Sequence, residues 1–180
     1  MTNYQKIYEI ASNNYGLITN HQANEVGVSR KELCAISKRG RINRIARGVY
    51  RLVDYIPVDN DVYASSVLSV GEDAYLYGES VLAMHNLCPV ERRKIYVGTK
   101  KRVRKNLSKN IQIINVKDDM DKTNYEGIPS QSISYAIVSC KNSIMPDRLI
   151  DAAKEANRLG LLYGNEYDKV LEELGVNNDK

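Results

Sequence analysis

The chain has 180 residues, 26 Lys or Arg against 22 Asp or Glu, and a formal charge of +4 at pH 7. That length admits one or two domains with a real core, and no apolar run approaches the ~18–20 residues of a membrane-spanning helix. The three cysteines (Cys34, Cys88, Cys140) and two histidines (His21, His85) show no metal-ligand spacing, and the odd cysteine count argues against a disulfide framework. The N-terminus, MTNYQKIYEI, lacks the basic-then-apolar layout of a secretion signal. The expectation is a reduced, cytoplasmic protein with no metal or other cofactor.

Tyr4, Ile7, Tyr8, Ala11 and Tyr15 recur at helical spacing, so residues 3–15 are predicted as a helix that Gly16 ends. Leu17-Ile18 reads as a short strand. Thr19-Asn20-His21-Gln22 is a capping box, with a hydroxyl at the cap and an amide three residues on. The short helix it opens buries Ala23 and Val26, and Gly27 stops it. Ser29-Arg30-Lys31-Glu32 is a second box, and Val28 and Leu33 can staple across it. That helix runs from about Arg30 to Arg39, with Gly40 after it. Turned at helical spacing, Leu33 and Ile36 face inward. Lys31, Cys34, Ala35 and Lys38 lie opposite, flanked by Arg30, Ser37 and Arg39. A helix in the major groove needs cations for phosphates and small residues at closest approach, and this face has both. Ile42 to Leu52 then reads as a hairpin with Gly48 near its turn. Ile42 and Ile45 are three apart, which predicts a bulge or a short arm. A basic hairpin directly after such a helix is the wing of a winged helix-turn-helix. Between Ser29 and Leu52 eight Lys or Arg face one acid, Glu32, for a net +7 in a chain of +4. Charge so localised marks a surface for a polyanion.

Asp54 to Asn60, with Pro57, is the expected linker, giving domains at 1–55 and 60–180. Asp61 to Val70 is predicted as a helix capped by Asn60 or Asp59, with Val62, Tyr63, Val67 and Val70 inward. Residues 53–90 hold six acids and no Lys or Arg, so they should face away from nucleic acid. Tyr75–Gly78 leads into a helix over Glu79–Leu87, which Pro89 stops. Ile95–Val97 and Ile111–Val116 are strand candidates. Between them lies a second basic run centred on Lys100, Lys101, Arg102, Arg104 and Lys105. It has three readings: a solvated loop, an extra phosphate contact, or a surface for a protein or RNA partner. Asp118, Asp119 and Asp121 make an acidic turn, and Tyr125–Pro129 a last strand or extended link. Ser130 is the expected cap of a helix to about Cys140. Pro146 opens a helix to about Leu159, and Asn165 caps a final one to Leu174. The class is α+β: an N-terminal winged helix-turn-helix, then a helix-rich α+β domain with a small sheet.

Catalysis is weakly written. Ser80 and His85 are five apart on one predicted helix and project in poorly matched directions for a nucleophile and its base. Gly78-Glu79-Ser80 lacks the second glycine of a nucleophile elbow. No Asp or Glu has a lysine two residues later, as restriction-type nucleases need. Asp118, Asp119 and Asp121 could gather a divalent ion, but an acidic turn after a strand is ordinarily solvated. The expected protein is not an enzyme.

Three segments carry a resemblance: GLITNHQANEVGVSRKELCAISKRGRINRIARGVY, then YLYGESVLAMHNL with KIYVGT, then EGIPSQSISYAI. Together they resemble the AbiEi family, the antitoxin half of a phage-defence, abortive-infection toxin–antitoxin pair. The resemblance implies an N-terminal winged helix that represses its own operon through inverted repeats in the promoter. It also implies a C-terminal domain that neutralises a nucleotidyltransferase-like toxin without a stable complex. The partners implied are thus operator double-stranded DNA and that toxin, with no membrane, for a protein monomeric when free. Carried onto this chain, the DNA contacts would be Ser29, Arg30, Lys31, Lys38, Arg39, Arg41, Arg44 and Arg47. Lys100, Lys101, Arg102, Arg104 and Lys105 are a candidate second basic surface on physical grounds alone. Two other readings stay open: a regulator whose second domain senses a ligand or dimerises, and a DNA-targeted nuclease.

Overall fold

The computed structural model describes residues 1–117 and 122–176. The acidic turn at 118–121 and the tail at 177–180 lie outside the described residues. The chain divides into two compact units, one of residues 1–72 with 103–107, the other of residues 73–102 with 108–180.

The first unit stands on three capping boxes. Thr2 opens α1 (Asn3–Ser12), Thr19 opens α2 (Asn20–Glu25) and Ser29 opens α3 (Arg30–Lys38). In each, the hydroxyl accepts an amide N–H three residues on while the Gln or Glu there reaches back, satisfying two orphan donors. α1 ends three residues sooner than its periodicity predicts, because Tyr15 (φ 53°) and Gly16 (φ 67°) are left-handed. Only glycine serves at 16: a Cβ there would lie 2.4 Å from Cγ of Tyr55. β1 (Leu17–Thr19), β2 (Ile42–Ala46) and β3 (Val49–Leu52) form an antiparallel sheet in the order β1-β3-β2. Its register shifts between Arg44 and Ala46, the irregularity that the Ile42/Ile45 spacing predicts. Ile7, Ile18, Val28, Leu33, Ile42 and Tyr50 are among the buried side chains packed between helices and sheet. Val28 and Leu33 are both fully buried, as a staple across the second cap requires.

α4 (Asp61–Val70) also falls in the first compact unit. Arg51 explains the attachment: its Nη2 lies 2.8 Å from Asp61 Oδ2. Val62 is 43% exposed, against expectation, and Ser66 and Ser69 are buried instead. Pairing Asp61 inward turns Val62 out, and Ser69 stays satisfied by donating to the Ser65 carbonyl at 2.6 Å.

The second unit is a five-stranded mixed sheet with four helices among the described residues. In chain order they are β4 (Tyr75–Leu76), α5 (Glu79–Met84), β5 (Ile95–Thr99), β6 (Ile111–Asn115), β7 (Lys122–Tyr125) and β8 (Ile128–Gln131). Helices α6 (Ile133–Ser139), α7 (Pro146–Arg158) and α8 (Gly164–Glu173) follow. The strand order is β6-β5-β4-β8-β7, with β5/β6 and β4/β8 parallel and the other two pairs antiparallel. α6 packs against α5, α7 and α8. Tyr125–Pro129 is the turn region of the β7/β8 hairpin. Ser132, not Ser130, caps α6, and α8 begins at Gly164 after Tyr163 rather than after Asn165. Ser130 is spent in β8, fully buried, its hydroxyl donating to the Gln131 carbonyl. Among the described residues no helix is long and apolar enough to cross a membrane.

Candidate nucleic-acid interface

The interface begins with how α3 is held. Its Ser29 N–H donates to Glu32 Oε2 at 2.8 Å, and Asn3 of α1 donates to Glu32 Oε1. These donors, the Ser29 amide foremost, hold the Glu32 carboxyl below its ordinary range. The one acid of the basic segment is therefore tied down at the start of the helix. Leu33 and Ile36 are buried, and Arg30, Lys31, Cys34, Lys38 and Arg39 are exposed, the partition that helical spacing predicts. Ala35 is half-buried between them.

The wing is seated on the helices. The Asn20 N–H donates to the Gly48 carbonyl at 2.9 Å, and a Cβ at Gly48 (φ 81°) would lie 3.0 Å from the Asn20 amide nitrogen. Tyr50, buried in β3, places its hydroxyl 3.6 Å from Cys34 Sγ. Burial and the Cys34 contact push the Tyr50 phenol up, while Arg44 and Arg30 pull it the other way. The cation at the start of α3 and the cation of the wing thus both act on one hydroxyl.

The eight sequence-predicted contacts are not equivalent. Ser29 is the cap, and its hydroxyl is used by Glu32. Arg30, Lys31, Lys38, Arg39 and Arg47 are exposed. Arg44 is exposed, with its Nε donating to the Ala46 carbonyl at 3.3 Å. Arg41 is exposed but lies over the Tyr4 ring at 5.5 Å, an internal cation–π contact. The second basic run is divided between the two units. Lys100, Lys101 and Arg102 belong to the second unit, where Lys101 faces Asp73 at 3.6 Å. Arg104 and Lys105 belong to the first, beside Arg44 and Arg47 of the wing. Sequence reasoning had no signal for that meeting, because the residues are some sixty positions apart.

In the second unit the Gly78-Glu79-Ser80 turn is built into the fold. The Gly78 N–H (φ 48°) donates to the buried Gln131 Oε1 at 2.7 Å, and Ser80 Oγ accepts the Tyr96 N–H at 2.8 Å. His85 meets the Tyr125 ring edge-on at 4.3 Å. An open groove of about 810 Å³ is lined by Ser134, Tyr135, Glu166, Lys169 and Glu173 among others, and its acids do not suit a polyanion. Among the described residues no three of His, Cys, Asp and Glu gather as a metal site.

A capped recognition helix, a basic wing and a small antiparallel sheet define the first unit as a winged helix-turn-helix domain of the DNA-binding kind. Residues 5–53 match the family model described as "Transcriptional regulator, AbiEi antitoxin", the family that the residues resemble. No curated protein matches the chain.

Proposed function

We propose that this protein is an antitoxin that represses its own operon. α3 enters the major groove of inverted repeats in the promoter, with Arg30 or Lys31 toward base edges. Lys31, Lys38, Arg39 and the wing arginines Arg44 and Arg47 hold phosphates. The second unit antagonises a nucleotidyltransferase-like toxin in the cytoplasm without a stable complex and without catalysis of its own. The observation that carries the DNA reading is the pairing pattern. The acid of the basic segment is consumed by the Ser29 cap, while Lys31, Lys38 and Arg47 make no ion pair among the described residues.

Two measurements test this. Lys31→Ala with Lys38→Ala should weaken binding to the promoter duplex; unchanged affinity would mean that another helix reads the DNA. The full chain, expressed from an unrelated promoter beside its neighbouring toxin gene, should restore growth, and so should the Lys31→Ala/Lys38→Ala chain. Failure of both to rescue would leave a repressor without antitoxin action.

A further inference from the structure

We propose that the concavity between the wing tip and residues 103–107 is a second phosphate-binding site, taking a DNA backbone phosphate outside the reach of the recognition helix. The proposal rests on the DNA reading above and adds a site to it. The cavity measures about 440 Å³ and is walled by Arg44, Ile45, Ala46 and Arg47 from the wing and by Arg104, Lys105 and Asn106 from the distant segment. Four of its seven residues are cations and none is an acid.

The charges are held there without compensation. Arg47 and Arg104 are exposed and make no hydrogen bond or ion pair among the described residues. Arg44 uses only Nε internally, on the Ala46 carbonyl, which leaves its two terminal nitrogens to point elsewhere. Lys105 is half-buried and donates to the Ser69 carbonyl at 3.3 Å, so its ammonium is anchored with two donors spare. Like charges around one hollow repel, and an anion seated among them removes that cost. Asn106 adds a neutral polar group of the sort that contacts phosphate oxygens.

The occupant follows from position. A wing lies beside the recognition helix and runs along the sugar–phosphate backbone. An open basic hollow at its tip meets a phosphodiester before any other anion when the helix is in the groove. The chain leaves the second unit after Arg102 and returns at Ser108, and the five residues between belong to the first unit. The segment therefore adds Arg104 and Lys105 to a wing that has Arg44 and Arg47 of its own.

The test uses the full chain, a duplex of the sequence upstream of its own gene, and a shuffled duplex of equal length. Affinity is read by fluorescence anisotropy across a salt series. Arg104→Ala should flatten the log–log salt slope by up to about 0.9 on both duplexes, since a phosphate contact without sequence information is weakened. Arg104→Lys should keep most of the slope. Arg104→Ala combined with Arg47→Ala should cost less than the two single losses together, because both act on one phosphate. If Arg104→Ala and Arg104→Ala/Lys105→Ala bind both duplexes as the native chain does while Arg44→Ala/Arg47→Ala is weakened, the wing works alone and the proposal falls. If those variants lose affinity only for inorganic phosphate in calorimetry, or only for a structured RNA, the site serves a free anion or RNA and the proposal is equally overturned. If the native chain binds neither duplex at low salt, the DNA reading itself fails.

Discussion

On the proposed reading, the salt dependence of operator binding follows from which cations are free. Eight Lys or Arg lie between Ser29 and Leu52. Arg41 lies over Tyr4 and Arg51 is paired with Asp61, which leaves Arg30, Lys31, Lys38, Arg39, Arg44 and Arg47. With these six neutralising about five or six phosphates at about 0.9 per contact, the slope of log affinity against log salt is about −5 or steeper. Raising salt from 50 to 200 mM should then weaken binding by roughly a thousandfold. Lys31→Ala and Lys38→Ala should each flatten the slope by about 0.9. Arg41→Ala should leave it unchanged and instead remove a cation–π contact worth about 0.5–1 kcal/mol from the first unit. Anisotropy titrations at four salt concentrations, with urea unfolding of each variant, separate the two effects. A native slope shallower than about −2 would refute the face as a phosphate-binding surface. An Arg41→Ala slope that flattens as much as that of Lys31→Ala would refute the division into free and committed cations.

Ser29→Ala removes the α3 cap and should cost about 1 kcal/mol, while Ser29→Asp keeps most of it, both read as urea midpoints of the first unit's transition. Cys34 is exposed, whereas Cys88 and Cys140 are buried; burial pushes the Cys88 thiol up and the Cys140 thiol up to about 12. A colorimetric thiol reagent at pH 8 should therefore react quickly with one thiol per native chain, and bound operator DNA should shield it. Burial holds the His85 imidazole below its ordinary value of 6.5, against the opposing pull of Glu126. The unfolded chain thus takes up this proton first, so stability is full above pH 6.5 and declines as pH falls from there toward the folded-state value. His85→Leu should abolish that share of the decline between urea curves at pH 7.5 and 5.5. Asp61→Ala strands a mostly buried guanidinium and should cost about 2 kcal/mol, with Arg51→Ala/Asp61→Ala costing less than the two single changes together.

The winged helix was legible because its signals are local. A cap and its partner sit three residues apart, a stop is a single glycine, and the inward face of α3 is fixed by helical spacing. What the sequence misplaced was decided at longer range. Ser130 and Ser132 are both suitable caps, and only the pairing of β8 with β4 and β7 consumes Ser130. Val62 belongs inside by hydropathy and is outside because Asp61 meets Arg51. A two-residue strand such as Tyr75–Leu76 has too short a period to read, so the five-stranded sheet was foreseen only as a small one. The basic run at 100–105 reads as one surface in one dimension, and the fold divides it between two units.

Arg47 and Arg51 show why charge alone does not mark the proposed interface. They stand four residues apart, one at the wing turn and one on β3, and are chemically identical. Arg51 is half-buried with a carboxylate 2.8 Å away; Arg47 is exposed with no such partner among the described residues. The same rule runs through the first unit. Glu32 is held by the Ser29 cap and by Asn3, and Glu72 faces His21 at 3.7 Å. The exposed His21–Glu72 contact contributes little stability. Cations left unopposed on one surface repel one another and destabilise the free domain at low salt. Binding a polyanion relieves that repulsion and releases its condensed counterions. A surface that is costly to the protein alone and favourable only against a dense row of phosphates is what selection for DNA binding would keep, and Glu32 and Asp61 are held by internal partners rather than by its exposed cations.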